Sequence, residues 1–328
     1  MIFRCKNCGG NIVYNPAKKA MCCPHCDSLD SEEQLNGTGI LSSCVNCGAP
    51  IELKEHTSAT KCPNCGTYTI VDERVTGKFK PEIIIPFKLD KEQAKEVLKR
   101  EFGKRPFTPM GFLSFASLEK MEGTYVPFFM YDYDSDINYH ATGTKVRTWS
   151  DSKYNYTETS YYDVVRELDA DFEKVPVDAS EKMDDGTMDL LEPYTYTELE
   201  GYQDKYLSGF FAEKYNMSET ALTPRVEKKV SDDSNTLLRS TLNGYATLTG
   251  ESKKINLTKK GVRYALLPVW QYTYNYGGVS YDYHVNGQTG KVIGVTPVSK
   301  GKVLAYGATV FGLVTLVGFM VRMALMVL

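Results

Sequence analysis

Nine cysteines stand before residue 66 and none after it, and eight of them fall in a pattern that occurs twice. Cys5-Lys6-Asn7-Cys8-Gly9 recurs as Cys44-Val45-Asn46-Cys47-Gly48, and Cys23-Pro24-His25-Cys26 recurs as Cys62-Pro63-Asn64-Cys65. The offset is 39 residues throughout and also relates Ile12 to Ile51 and Ala20 to Ala59. Each copy holds two Cys-x2-Cys turns with fourteen residues between them. Such a turn puts two sulfurs on one side of a tight bend, and the glycine after Cys8, Cys47 and Cys65 suits the left-handed backbone it requires. Two turns on facing hairpins complete a four-thiolate tetrahedron, the donor set zinc favours. The spacing therefore predicts tandem zinc ribbons with two structural Zn²⁺ ions. Cys5, Cys8, Cys23 and Cys26 hold one, and Cys44, Cys47, Cys62 and Cys65 the other.

Adjacent Cys22 and Cys23 force a choice of ligand. The repeat pairs Cys23 with Cys62 and Cys22 with Lys61, so Cys22 is the spare thiol. His25 pairs with Asn64 and is expected at the surface, and Asp27 stands where the other second turn has Gly66. Rubredoxin-type iron uses similar turns and is the alternative metal. A closed four-cysteine site offers no position for water or substrate, so its role is structural. Metal binding worth about 10–16 kcal/mol in isolated zinc-finger peptides lets modules this small fold.

The N-terminus, MIFRCKNCGG, has no apolar run of secretory length, which points to a reducing compartment where clustered cysteines bind metal. The formal net charge of the chain is −3. Residues 1–77 hold seven Lys or Arg against eight Asp or Glu, and two tetrathiolate zinc sites add further negative charge, the wrong sign for phosphate. Nucleic acid is therefore disfavoured as a partner, and a membrane-tethered nucleic-acid regulator is the alternative reading. No phosphate loop, nucleophile elbow or His-Glu-x2-His helix is present, and His56, His140 and His284 are scattered. The expectation is a protein that is not an enzyme. Asp132, Asp134 and Asp136 alternate and read as a polar strand face, with a cation site as the sharper alternative.

Beyond residue 77 the pattern is α+β and rich in tyrosine. PEIIIPF (81–87) reads as a strand, and Lys91–Phe102 as a helix with Asp90 as its N-cap and Gly103 past its end. Alternation predicts strands over 125–141, 154–168, 264–276, 279–285 and 291–295, with turns at Gly277-Gly278 and Asn286-Gly287. Helices are expected near 183–191 and over 217–238. Residues 163–204 carry fourteen Asp or Glu against three Lys or Arg. Val126-Pro127-Phe128-Phe129 resembles Leu267-Pro268-Val269-Trp270, a possible duplicated β-element.

Residues 303–321 are nineteen in a row without a charge, flanked by Lys300, Lys302 and Arg322. At about 1.5 Å per residue they match the hydrocarbon thickness of a bilayer, so they are expected to contact membrane lipid as a transmembrane helix. The positive-inside rule and the reduced thiolates put the N-terminal part in the cytoplasm of a single-pass cell-membrane protein. The resulting division is zinc ribbon 1 (1–38), zinc ribbon 2 (39–77), an α+β domain with a mixed antiparallel sheet (78–299) and a transmembrane segment (300–328).

The two cysteine modules, the VPFF and LPVW strands (126–129, 267–270), VNGQTGKVIG (285–294) and SKGK before an apolar tail together resemble a family of bacterial membrane proteins. Its members are labelled as containing TFIIB-type zinc ribbons or as PriA-like helicase fragments. The resemblance covers essentially the whole chain and implies architecture more than mechanism, because no helicase motor is present. With the residues, it yields a membrane-anchored, cytoplasm-facing adaptor or scaffold for an unidentified protein partner.

Overall fold

The computed structural model describes residues 1–36 and 43–327, so the boundary drawn at 38 and 39 lies outside the described residues. Near the N-terminus, Ile2–Cys5 (β1) pairs with Glu32–Leu35 (β4), and Val13–Asn15 (β2) pairs with Ala20–Cys22 (β3). Thr57–Lys61 (β5) and Tyr68–Ile70 (β6) form a hairpin that belongs to the main sheet. The rest of that sheet is Ile83–Ile84 (β7), Glu122–Ser150 (β8), Asn155–Asp178 (β9), Glu200–Gly201 (β10), Phe211–Glu213 (β11), Thr247–Tyr276 (β12), Val279–Asn286 (β13) and Val292–Gly294 (β14). The helices are Lys91–Phe102 (α1), Phe115–Leu118 (α2), Asp185–Leu191 (α3), Glu219–Thr241 (α4) and Lys300–Val327 (α5). The architecture is a mixed sheet with helices, the α+β class expected.

The backbone of the sheet is the order β10-β7-β12-β8-β11-β5-β6, with β9 on β8 and β13 and β14 continuing from β12. The division at residue 77 is no break in this sheet: β5 pairs with β11, which lies parallel to β8. The N-terminal amino group bonds Ile70 O at 2.6 Å and Asp72 Oδ1 at 3.0 Å, and Ser208 Oγ donates to Ile12 O at 2.8 Å. Met1, Cys5, Ile12, Met21 and Cys23 share one core with Phe87, Tyr125, Phe210 and Trp270. Within it Phe87 stacks on Phe210 at 4.1 Å and meets Tyr125 and Trp270 edge-on at 5.0 and 5.1 Å. Aromatic pairs of this kind contribute about 0.5–1.5 kcal/mol each beyond area burial.

Helix α1 starts and stops where its sequence signals stand. Asp90 accepts from Gln93 N while Gln93 reaches back to Asp90 N, a reciprocal box, and Gly103 follows the last turn. Helix α4, capped by Ser218, buries Leu222, Val226, Val230, Ser234 and Leu238, one residue per turn, against β8, β9 and β12. Ser135 and Ser234 satisfy each other across that interface at 2.8 Å.

The two Pro-led segments lie side by side: β8 and β12 are antiparallel with Val126 opposite Leu267 and Pro127 opposite Leu266. Their hairpin partners repeat too. Phe128 and Phe129 face Asp178 and Val177 of β9, while Val269 and Trp270 face Asn286 and Val285 of β13. Each proline carbonyl accepts from the residue that follows, Ala179 N or Gly287 N, at 2.9 Å.

Three strands are longer than their alternation indicates. β8 extends to Ser150 rather than ending near 141, β9 runs to Asp178 rather than 168, and β12 begins at Thr247 rather than 264. Together they form an arm whose far end is exposed on both faces.

Candidate metal centres

Each quartet is built from two bends with the same hydrogen bonds. Cys5 N donates to Gly10 O and Gly9 N to Cys5 O, matched 39 residues later by Cys44 N to Ala49 O and Gly48 N to Cys44 O, all at 2.8 Å. In the second bends, Cys23 N donates to Ser28 O and Cys62 N to Thr67 O. The residue after the second cysteine is left-handed in all four: Gly9 and Gly48 at φ 72°, Gly66 at 73° and Asp27 at 56°. Asp27 keeps the bend without glycine because short polar side chains tolerate that region better than most.

These bends converge. Cys5, Cys8, Cys23 and Cys26 bring their sulfurs within 4.8 Å of one another, as do Cys44, Cys47, Cys62 and Cys65. Individual Sγ–Sγ separations are 3.6 Å for Cys5–Cys26, 3.5 Å for Cys8–Cys23, 3.6 Å for Cys44–Cys65 and 3.8 Å for Cys47–Cys62. A tetrahedron with metal–sulfur bonds of about 2.3 Å has edges of about 3.8 Å. A disulfide needs about 2.05 Å, and the nine cysteines are free thiols. Each quartet therefore fits one zinc-sized ion, which would be held by its four sulfurs and would cross-link the paired bends.

Burial is matched as well. Cys5, Cys23, Cys44 and Cys62 are buried and Cys8, Cys26, Cys47 and Cys65 exposed, so each quartet has an inner and an outer pair. The Ser28 hydroxyl beside Cys26, 2.9 Å away, and the Ser28 backbone lower that thiol to about 6, whereas burial pushes Cys44 up to about 12. Four thiolates this close repel one another without a countercharge, and a dication supplies it.

The 39-residue offset also relates residues that the cysteine pattern leaves out. Asn7 Nδ2 donates to Ser28 Oγ at 2.8 Å and Asn46 Nδ2 to Thr67 Oγ1 at 3.2 Å, tying the two bends of each quartet together. Ser28 and Thr67 in turn lie 2.9 and 3.4 Å from Cys26 and Cys65 Sγ. Cys22 is buried outside the quartet, with Lys18 Nζ 3.6 Å from its sulfur, and His25 is exposed.

The other candidates are engaged elsewhere. Asp132 accepts from Lys174 N at 2.8 Å, Asp134 pairs with Lys260, and Asp136 accepts from Asn138 at 2.8 Å. His140 lies 2.6 Å from Asp163 on an exposed strand face. His284 lines a cleft of about 800 Å³ with Asp184 and Asp282, and burial lowers its pKa. Asp184 there caps α3 through Thr187 N, and Asp282 accepts from Thr273 Oγ1 at 2.6 Å.

At the other end of the chain, Lys300–Met323 is long and apolar enough to cross a membrane, and none of it is buried against the protein. The molecule is thus an α+β protein with two four-cysteine clusters near its N-terminus and one apolar C-terminal helix. It is 37% identical over 320 residues to the uncharacterized protein YdjG of Bacillus subtilis (strain 168), the match covering 94% of each chain, and it belongs to that protein's family. No family model and no solved structure matches it.

Proposed function

We propose that this chain is a membrane-anchored adaptor whose two zinc ribbons and tyrosine-rich sheet face the cytoplasm and dock a protein partner, while α5 crosses the cell membrane. The observation that carries the reading is the closure of both quartets. Eight sulfurs at tetrahedral spacing leave no coordination position for a substrate, so the metal's work is to hold a surface in shape. The bare apolar surface of α5 supports an anchor, and Lys300 and Lys302 before it support a cytoplasmic N-terminal side.

The test uses the full chain with a tag at residue 1. Purified protein is expected to carry two zinc ions, and cross-linking in intact cells to join it to a protein other than itself. A Cys44→Ser/Cys62→Ser variant should keep its place in the membrane, lose one zinc and lose that cross-link. Iron in place of zinc, or a tag labelled from outside the cell, would overturn the metal or the orientation. A cross-link that survives loss of the second cluster would remove that cluster from the docking role.

A further inference from the structure

The arm leaves two sheet edges unpaired. Its strand order is β9-β8-β12, and among the described residues the outer edge of β9 pairs with no strand. Among the described residues, the outer edge of β12 is covered by β7 and β13 only from Tyr264 onward, through the bond from Glu82 N and the pairings that follow, and is open over 247–263. Residues 155–174 of β9 and 247–263 of β12 contain no proline, one of the devices that stop an edge from pairing; Pro176 stands near the end of β9.

The two edges carry opposite charge. Open β9 holds Glu158, Asp163, Glu167, Asp169, Asp171 and Glu173 against Arg166 and Lys174. Open β12 holds Lys253, Lys254, Lys259, Lys260 and Arg263 against Glu251. The alternation of the strands places Glu167, Asp169 and Asp171 on the same exposed face as Lys254, the face away from α4, and Lys260, at an irregularity of β12, reaches that face through its ion pair with Asp134. On the α4 side each edge keeps half-buried apolar residues, Leu168 and Phe172 on β9 and Ile255 and Leu257 on β12, so both faces of the two edges are compatible.

We propose that copies of this chain associate side by side, the acidic edge of β9 in one copy pairing with the lysine-bearing edge of β12 in the next. Pairing like with like, β9 on β9 or β12 on β12, sets equal charges opposite each other and is disfavoured. The unlike pairing joins two different surfaces, so it does not close at a dimer and adds copies in series. β9 and β12 both run antiparallel to β8 and hence in the same direction, so copies in one orientation meet with parallel strands. Copies anchored in one bilayer would share that polarity, although the pairing does not depend on the anchor.

A carbodiimide, which joins a lysine amine to a carboxylate in direct contact, reads this out on the full chain in detergent. A mixture of unlabelled and ¹⁵N-labelled protein identifies links between copies. At low salt the expected result is a ladder of species beyond the dimer, with links between copies from Lys254 to Glu167, Asp169 or Asp171, Lys260 being held by Asp134 of its own chain. The ladder should collapse at about 1 M salt, where the Debye length is about 3 Å. On the face away from α4, Glu167→Lys/Asp169→Lys/Asp171→Lys makes both edges basic and Lys254→Glu/Lys260→Glu makes both acidic, so each alone should run as a monomer. Their equimolar mixture should restore the ladder, which two misfolded variants cannot do. A wild-type chain that stays monomeric at low salt overturns the proposal. So does a ladder that stops at a dimer linked through β9 alone, or a mixture of folded variants that fails to reassemble.

Discussion

Removing Arg225 tests whether the sheet-to-helix junction depends on a buried charge pair. Asp178, at the end of β9, has a side chain with no exposed surface. Its Oδ1 accepts from Arg225 Nη1 at 2.7 Å, while Oδ2 has no hydrogen-bond partner among the described residues. Arg225 also meets Asp185 and Asp189 at 2.8 Å, but those carboxylates are far more exposed and lose little when it goes. The neighbouring cation, Lys229, is held by Pro176 O, Asp189 and Glu192. Arg225→Met therefore strands a buried carboxylate, a change that costs about 3–5 kcal/mol. Arg225 is 18% exposed, so some water reaches the site and the lower end, about 3 kcal/mol, is expected. The pH dependence has a definite sign. Burial holds the Asp178 carboxyl above its usual range while Arg225 pulls it down. A carboxyl raised in the folded state favours folding most where it is protonated, and loses that advantage as pH rises through its folded pKa. Without Arg225 burial acts unopposed, so the variant's deficit should be complete at neutral pH and shrink as pH falls into that raised range. Urea unfolding of the full chain in detergent, wild type against variant at each pH, isolates the difference from the cysteine clusters that both share. In an Asp178→Asn background the same substitution should cost under about 1 kcal/mol, because no charge is left stranded. Equal losses in both backgrounds, or a deficit that grows on acidification, would refute the reasoning.

Gly48→Ala should weaken metal retention at the second cluster by about 1 kcal/mol through backbone strain alone, since φ is +72° and nothing lies within 4 Å of a new Cβ. Gly48→Asp should cost less, because Asp27 holds the equivalent bend, and a chelator competition that ranks the two the other way would contradict this. Gly123→Ala would put a Cβ 2.7 Å from Phe210 and 3.1 Å from Trp270, so it should cost about 1–3 kcal/mol in denaturant unfolding unless Phe210→Leu is added. Cys5 and Cys23 sit in the main core whereas Cys44 and Cys62 share a small cluster with Ile51. A chelator should therefore strip the second cluster first, with hydrogen exchange rising at residues 44–53 before β1; simultaneous release would count against it. Ending the chain after Ser299 should move it from the membrane fraction to the soluble one, and persistence with membranes would show that α5 is not the anchor.

Covalent spacing made the cysteine clusters readable. Two Cys-x2-Cys turns fourteen residues apart leave few ways to bring four sulfurs together, and the repeat resolved Cys22 from Cys23. The same offset, followed through Asn7 and Ser28, would also have revealed the hydrogen bonds that brace each quartet. The arm was hidden for the opposite reason. Alternation records one buried face, and it is present at Tyr133, Ser135, Ile137, Tyr139 and Ala141 because α4 covers that side of β8. Past Thr144 the strand is paired only with β9 and is largely exposed, so the ladder continues after the periodic signal has stopped. The same argument explains β12. Residues 247–263 are bonded to β8 along most of their length, yet alternation predicts this strand only from 264, since backbone pairing leaves no mark on side-chain polarity. Its missing signature was instead electrostatic: a basic run and an acidic run, far apart in sequence, set on opposite edges of one three-stranded ribbon. A charge pattern of that kind has no meaning along the chain and acquires one only when the register of β8 with both neighbours is known.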